Sequence, residues 1–251
     1  MYLRNIGIVI ADQLLSYEEL LSYRFHFNSR FISNYLSREL RKKAVFSGGD
    51  YSMIHVVLDK HSHYKESQVF HSLDVHLPLS NQEFIRYNSL SELKDRYEWC
   101  LSFIEQSFLI VSKKRGIPVK VLLSLNESFR ENDYRNEWLF KRIKVNSFGL
   151  DIYLKCYFTT FDFRLELEAY DLNHTTIKTK GVVLRTMPDE ICFKKEFRTV
   201  EVREECLLIK DFLGNDSFEI SLDQLGNGEF HVTDKRGNQP DYNSFLDKIY
   251  W

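Results

Sequence analysis

The sequence lacks every signature that would name a chemistry directly. Its 251 residues contain no GxSxG nucleophile elbow, no P-loop, no GxGxxG turn and no HExxH zinc motif. The usual sequence evidence for acyl transfer, nucleotide binding and zinc-dependent hydrolysis is therefore missing. Function has to be inferred from composition and from the patterning of apolar and charged residues.

Cysteine is scarce and spaced too widely for a metal motif. The four cysteines, Cys100, Cys156, Cys192 and Cys206, form no CxxC pair. Cys100 and Cys156 fall on predicted apolar faces, where a free thiol behaves as a small core hydrophobe. We therefore expect no disulfides, a reducing compartment and a cytoplasmic protein.

Long apolar runs are also absent. The run GIVIA follows Arg4 near the N-terminus, but it is too short for the apolar region of a signal peptide. No run approaches the length that spans a bilayer. These absences predict a soluble protein without a membrane partner.

Charge of one sign does not dominate the chain. The formal net charge is −2, so no global field attracts nucleic acid. Two basic clusters, Arg38–Lys43 and Lys113–Arg115, lie at predicted helix C-termini, where cations suit the helix dipole. Nucleic-acid binding through these clusters is the weakest of our hypotheses.

Alanine is rare and aromatic residues are abundant. Only Ala11, Ala44 and Ala169 occur, whereas aromatic residues make up 15% of the chain. Coding bias would produce this skew, and an aromatic-rich binding surface would look similar. Both explanations stay open.

One long helical pattern is present at 89–115. Its apolar residues recur at steps of three and four, which predicts an amphipathic helix about 40 Å long. Ser89 and Glu92 have the spacing of a capping box at its start, and Gly116 predicts its end. We expect the other elements to pack against this helix.

The remaining elements of the N-terminal half follow from shorter patterns. Apolar alternation and helical spacing predict a strand at 2–11, two helices over 16–43 that are broken near Asn28–Ser29, a strand at 51–59, a short strand at Leu73–Leu77 and a helix at Val119–Arg130.

From Trp138 onward the apolar period changes from 3.6 to 2, which predicts a run of strands. A turn at Thr159–Thr160 between the two clearest strands places Phe158 opposite Phe161 and Leu154 opposite Leu165. Both apolar sets then lie on one face, and the polar face meets water or a partner. Further strands are predicted at Trp138–Val145, Gly181–Arg185, Phe197–Val202, Leu207–Phe212, Phe218–Leu222 and Glu229–Thr233.

These patterns together predict an α+β fold. Helices lie mainly in the N-terminal half around the helix at about 89–115, and an antiparallel meander sheet lies mainly in the C-terminal half. We expect a single domain over 1–251. A possible sub-boundary lies near residue 133, between a helix-rich half at 1–132 and a sheet half at 133–251.

Two polar regions are candidate binding surfaces for a protein partner. The segment around Tyr134 and Arg135 carries residue types that dominate binding hot spots. On the predicted sheet, the polar face is rich in charges that suit electrostatic complementarity: Asp162, Arg164, Glu166 and Glu168. These features favour a non-catalytic binding protein without a cofactor, and an immunity or antitoxin-like protein that neutralises a toxin is a concrete form of it.

The alternative hypothesis is a metal-dependent enzyme. Five of the eight histidines lie within 55–76. His61 and His63 point to the same side of an extended segment, so they form a workable pair of zinc ligands that Asp59, Asp74 or His76 would complete. An HxH pair alone is weak evidence, and a polar loop with accidental histidines is the better explanation of it.

Overall fold

The computed structural model describes residues 1–11, 19–173 and 176–237. The chain divides into two compact units, Met1–Arg135 (unit 1) and Asn136–Trp251 (unit 2). The division falls close to the possible sub-boundary predicted near residue 133. A mixed α+β composition with antiparallel sheets is confirmed.

Within its described residues, unit 1 contains four strands and four helices. They are β1 (Asn5–Ile10), α1 (Glu19–Lys43), β2 (Met53–Asp59), β3 (His63–Ser67), β4 (Ser72–Pro78), α2 (Asn81–Ser89), α3 (Leu93–Arg115) and α4 (Val119–Glu131). The strands form one sheet in the order β1-β2-β4-β3, in which only β3 runs antiparallel to its neighbour.

Helices bury the apolar face of this sheet. Alternate residues of the central strand β2, Ile54, Val56 and Leu58, are fully buried. α1 packs on β1, and α3 packs on β2 and β4. The parallel pairing was not predicted, because an apolar strand pattern does not reveal the direction of its neighbour.

The predicted start of the long helix is wrong. α3 begins at Leu93, and Ser89 is the last residue of α2, a helix that was not predicted. The capping box forms instead at α2, where the Glu83 backbone N–H donates to Ser80 Oγ at 3.2 Å. The S-x-x-E pattern occurs at both places, so local sequence did not distinguish them. The predicted end is confirmed, because Gly116 has a left-handed φ of 67°.

The predicted break near Asn28–Ser29 is also wrong, because α1 runs through it as one helix of 25 residues. Asn28 is buried and donates its side-chain N–H to the Tyr87 hydroxyl at 2.6 Å. Ser29 Oγ donates to the His26 carbonyl at 2.8 Å. Both polar side chains are therefore satisfied inside a continuous helix. The predicted residues 16–18 lie outside the described residues.

Unit 2 begins with an antiparallel meander. Its strands are β5 (Asn136–Val145), β6 (Leu150–Phe158), β7 (Phe163–Asp171) and β8 (Ile177–Thr186), in sequence order. The predicted register is off by two residues, since Phe158 pairs with Phe163 and Leu154 with Leu167. The turn is longer than predicted and is closed by the Thr159 N–H donating to the Asp162 carbonyl at 2.9 Å. Because the shift is even, each side chain keeps its predicted face.

The second half of unit 2 forms another antiparallel meander. It comprises α5 (Glu190–Phe193), β9 (Thr199–Arg203), β10 (Cys206–Lys210), β11 (Asp216–Ser221), α6 (Leu222–Gly226) and β12 (Thr233–Asp234). The strand predicted at Glu229–Thr233 is wrong: only the short β12 pairs there, after β11 has ended in α6.

Aromatic rings fill the core of unit 2. Phe163 stacks on Phe193 with ring centroids 3.7 Å apart and on Phe197 at 5.6 Å. Phe197 also makes an edge contact with Phe140 of β5. The high aromatic content therefore has a packing role in this unit.

All four cysteines are free, and Cys100 and Cys156 are buried as predicted. Burial raises the pKa of the Cys100 thiol above its usual value. Across the described ranges, the chain has no helix long and apolar enough to cross a membrane.

Gly181 in β8 provides a test of the unit 2 packing. A Cβ at this position would lie 2.1 Å from the Phe230 ring. We expect Gly181→Ala to lower the free energy of unfolding by about 1–3 kcal/mol, because the ring must move. Denaturant unfolding measures this loss. Gly226→Ala is the control, since its Cβ would meet no atom within 4 Å, and an equal loss in both variants would contradict the packing.

Candidate functional site

The solvent-facing side of the β5–β8 sheet in unit 2, which we call the outer face, concentrates charged and aromatic side chains. Its register places alternate residues of four strands side by side. The outer face comprises Glu137, Leu139, Arg142, Lys144, Asp151, Tyr153, Lys155, Tyr157, Arg164, Glu166, Glu168, Tyr170, Lys180, Val182 and Arg185, with Asp162 in the β6–β7 turn.

The carboxylates of the outer face are buried, although the alternation predicted a solvated face. The side chains of Asp151, Asp162, Glu166 and Glu168 are 0%, 9%, 7% and 8% exposed. The five cationic side chains that pair with them are 33% to 49% exposed. The acids therefore lie beneath the cations, and the cations meet the solvent.

Arginine side chains bind the two aspartates, Asp151 through a bidentate fork and Asp162 through one nitrogen. Arg142 donates from Nε to Asp151 Oδ1 at 3.0 Å, and its Nη2 donates to Oδ2 of the same carboxylate. Arg185 donates from Nε to Asp162 Oδ2 at 2.7 Å. Bidentate arginine contacts fix both the position and the plane of the guanidinium group.

Lysines bridge the two glutamates. Lys180 Nζ lies 3.1 Å from Glu166 Oε2 and 3.0 Å from Glu168 Oε1. Lys155 Nζ donates to the other oxygen of Glu168, and Arg164 Nη1 donates to Glu166 at 2.9 Å. The Thr159 hydroxyl also donates to Asp162 Oδ1 at 3.0 Å. Each of the four buried carboxylates therefore has at least two donor atoms.

These contacts shift the ionisation of the network. Burial is the largest single influence on Glu168 and raises its pKa, but hydrogen bonds from Lys155, Lys180 and Tyr170 outweigh it, so the pKa lies below its usual value. Hydrogen bonds to Glu168 and Glu166 raise the pKa of Lys180. Both shifts favour the charged forms at neutral pH.

Tyrosines and aliphatic side chains fill the spaces between the cations. Arg142 lies over the Tyr153 ring at 5.0 Å, and Arg164 lies over the Tyr157 ring at 5.7 Å. Leu139 and Val182 are exposed on the same face. The outer face therefore presents cations, tyrosine rings and two aliphatic groups on a hydrogen-bonded sheet.

The other two predicted binding residues belong to unit 1. Tyr134 donates its hydroxyl to Glu98, and its ring makes an edge contact with Phe129 at 5.3 Å. Burial and the bond to Glu98 raise the pKa of Tyr134 to about 12. Arg135 is exposed, with Nη2 3.9 Å from Asp133. Tyr134 thus acts within unit 1 as a loop anchor, and its role in partner binding stays a prediction.

The histidine-rich part of unit 1 forms separate contacts. The rings of His63 and His76 stack at 3.6 Å, and His76 Nδ1 lies 3.3 Å from Asp59 Oδ2. His55 Nδ1 lies 3.4 Å from Asp74 Oδ1. Burial lowers the pKa of His55, and Asp74 only partly opposes this shift.

The predicted metal ligands gain no third partner. His61 is exposed in the turn before β3, and the His63 ring is engaged by His76. Among the residues that the structure describes, no three His, Cys, Asp or Glu side chains are arranged to hold a metal ion. The metal-dependent alternative stays a prediction without a ligand set.

Sequence reasoning found the acids and missed most of the cations that cover them. Arg142 lies on β5 after a register shift between Leu139 and Lys141, and Lys180 lies on β8 beyond a shift at Leu165/Glu166. Simple alternation fails across such irregularities. An excess of Lys and Arg on the neighbouring strands was the only available signal.

The ionisation of Glu168 predicts a pH dependence of stability. Its folded pKa lies below the usual 4.5, so its contribution is present above that pH and is lost as the pH falls through the lowered value. We expect Glu168→Gln to lower the free energy of unfolding by about 1–3 kcal/mol at pH 7. The difference from the natural protein should shrink between about pH 5 and pH 2.

Denaturant unfolding across this pH range makes the measurement. Glu190→Gln is the control, because Glu190 pairs at i,i+4 with Lys194, whose side chain is 60% exposed. This substitution should change stability by no more than about 0.5 kcal/mol. A pH-independent loss in Glu168→Gln would show that the carboxylate is not held in its charged form.

Tyr134→Phe tests the anchoring role of this residue. Removing the hydroxyl leaves Glu98 with one donor fewer, so we expect the free energy of unfolding to fall by about 1 kcal/mol. Alkaline absorbance titration should also lose one tyrosine with a pKa of about 12. Tyr2→Phe, at an exposed ring, is the control. Unchanged stability would show that the Tyr134 hydroxyl does not anchor the loop.

Comparison with known proteins gives no match. No protein-family model fits the chain, and neither a curated protein nor a solved structure matches it. No family or activity is therefore assigned to the chain by likeness, and its function rests on the chemistry of its own surfaces.

Proposed function

We propose that the protein is a non-catalytic binding protein that engages an acidic protein partner through the outer face of unit 2. The observation that carries this proposal is the burial of four carboxylates beneath five cations that are 33% to 49% exposed. Exposed Glu137 on this face is offset by exposed Lys144. The exposed charge of the outer face is therefore positive, although the chain as a whole carries a net charge of −2. A partner that presents carboxylates complements this surface.

The chemistry of the outer face suits protein binding. Tyrosine and arginine are among the residue types most enriched at binding hot spots, and the outer face carries both. The buried acids hold the arginine and lysine side chains in place, so less side-chain entropy is lost when a partner binds. Leu139 and Val182 add exposed apolar area at this face.

An immunity or antitoxin-like protein is the concrete form of binder that we favour. Such a protein neutralises a toxin by covering it, which requires a complementary surface and no catalytic group. The paired charges and tyrosines of the outer face support this role by providing a broad contact surface.

Two valines with nearly equal exposure allow a test of the proposal. Val182 lies on the outer face and is 44% exposed, whereas Val202 lies on β9 of the other sheet and is 41% exposed. We expect Val182→Asp to weaken binding of an acidic partner about tenfold or more through like-charge repulsion, and Val202→Asp to leave it unchanged. Affinity capture from the native host extract, with quantification of one stoichiometric partner by mass spectrometry, gives the readout.

Measurements of binding at raised ionic strength and of denaturant unfolding provide the controls for this experiment. Binding by the natural protein should weaken as ionic strength rises, because exposed charges are screened. Both variants should unfold at the same denaturant concentration as the natural protein. Equal capture by the two aspartate variants, or no stoichiometric partner at all, would contradict the proposal.

A further inference from the structure

One end of unit 1 exposes a group of apolar side chains. Val69 and Phe70, at the tip of the β3–β4 hairpin, are 83% and 78% exposed. Phe46, Tyr2 and Met1 are exposed as well. Large apolar side chains at the tip of a hairpin are costly in water, so their concentration at one end indicates an interaction site.

The loop at 44–51 brings these side chains to the same end. The Ser47 N–H donates to the Met1 carbonyl at 3.0 Å, and the Tyr2 ring makes an edge contact with Phe46. On the hairpin side, His71 Nδ1 lies 2.8 Å from the Asp50 carbonyl oxygen. His71 directly follows Phe70, so the hairpin tip and the loop are tied together.

Both basic clusters of the sequence also end at this loop. α1 finishes at Lys42 and Lys43 immediately before it, and α3 finishes beside it at Lys113 and Lys114. Arg115 fixes the second helix end by donating from its guanidinium group to the Gly48 carbonyl and, at 3.4 Å, to the Ser47 carbonyl. All four lysines are exposed.

Acidic side chains cancel only part of this charge. Glu39 is paired with Lys42, and Glu66 is paired with Arg115. Glu66 also accepts a hydrogen bond from Tyr51 at 2.8 Å, which lowers its pKa and keeps it ionised in these contacts. Asp50 is the exposed acid in the loop itself, so lysines outnumber free carboxylates here.

We propose that this end of unit 1, which we call the basic apolar end, binds the surface of an anionic lipid bilayer. Val69 and Phe70 enter the interface between headgroups and acyl chains, while the lysines face the lipid phosphates. Buried apolar area together with attraction to anionic lipid is the combination by which proteins lie on a membrane without crossing it. The proposal is independent of the outer face of unit 2.

Nucleic acid shares the phosphate chemistry but fits the apolar groups less well. Its phosphates would satisfy the lysines, yet the most exposed side chain, Val69, cannot stack on a base or read its edge. A lipid interface accommodates both Val69 and Phe70. The dependence of binding on Val69 and Phe70 therefore distinguishes a lipid surface from nucleic acid as the ligand.

Vesicle binding by the full chain tests the proposal. The probes are vesicles of phosphatidylcholine alone and of phosphatidylcholine mixed with phosphatidylserine, read by co-sedimentation. We expect binding only to the mixed vesicles, and a loss of about tenfold or more in both Val69→Ser/Phe70→Ser and Lys113→Gln/Lys114→Gln. Phe212→Ser/Leu213→Ser is the matched control, since these unit 2 residues are 60% and 81% exposed and should not affect binding.

A tryptophan at the hairpin tip reports insertion directly. The emission of Phe70→Trp should shift to the blue with the mixed vesicles, whereas the emission of Phe212→Trp should not. The proposal is overturned if the natural protein ignores the mixed vesicles, or if the hairpin-tip variant binds them fully. It is also overturned if duplex DNA binds with full dependence on Lys113 and Lys114 while the vesicles do not bind.

Discussion

The pairing of buried carboxylates with overlying cations is the constraint on which the surface of unit 2 depends. An ionised carboxylate that is removed from water loses several kcal/mol of solvation unless donors replace the water. Asp151 is fully buried, and the fork of Arg142 supplies that replacement. The cations drawn toward these acids stay 33% to 49% exposed. Burial of the acids therefore decides the sign of the charge that the sheet presents.

This layering explains how far sequence reasoning could reach. Alternation along β6 and β7 assigned each residue to the correct face, and an error of two residues in the register did not change that assignment. Alternation does not distinguish an acid in water from an acid beneath an arginine. The exposure of Glu166 depends on Lys180, which lies on a strand whose register shifts opposite that same glutamate. Pairing across such an irregularity is a tertiary property and was not predictable from one sequence.

Unit 1 shows the same limit for helices. The sequence pattern Ser-x-x-Glu occurs at Ser80 and at Ser89, and only the first caps a helix. The helix that it begins places Tyr87 in the core, where the tyrosine hydroxyl accepts from Asn28 in the middle of α1. That single contact lets a polar residue stay inside a continuous helix, where sequence alone indicated a break. The continuity of α1 at Asn28 therefore depends on a contact between residues far apart in the chain.

The two proposed binding surfaces draw on different sources of binding energy. On the outer face the cations are already paired with buried acids, so a partner's carboxylate must share them with those acids. Sharing a cation in this way contributes more to orientation and association rate than to affinity. Affinity there has to come from apolar contact area, which the tyrosine rings, Leu139 and Val182 provide. At the basic apolar end the order is reversed, because Val69 and Phe70 gain by leaving water whatever the charge of the ligand. The lysines then select an anionic surface over a neutral one, which makes charge the source of specificity at both surfaces.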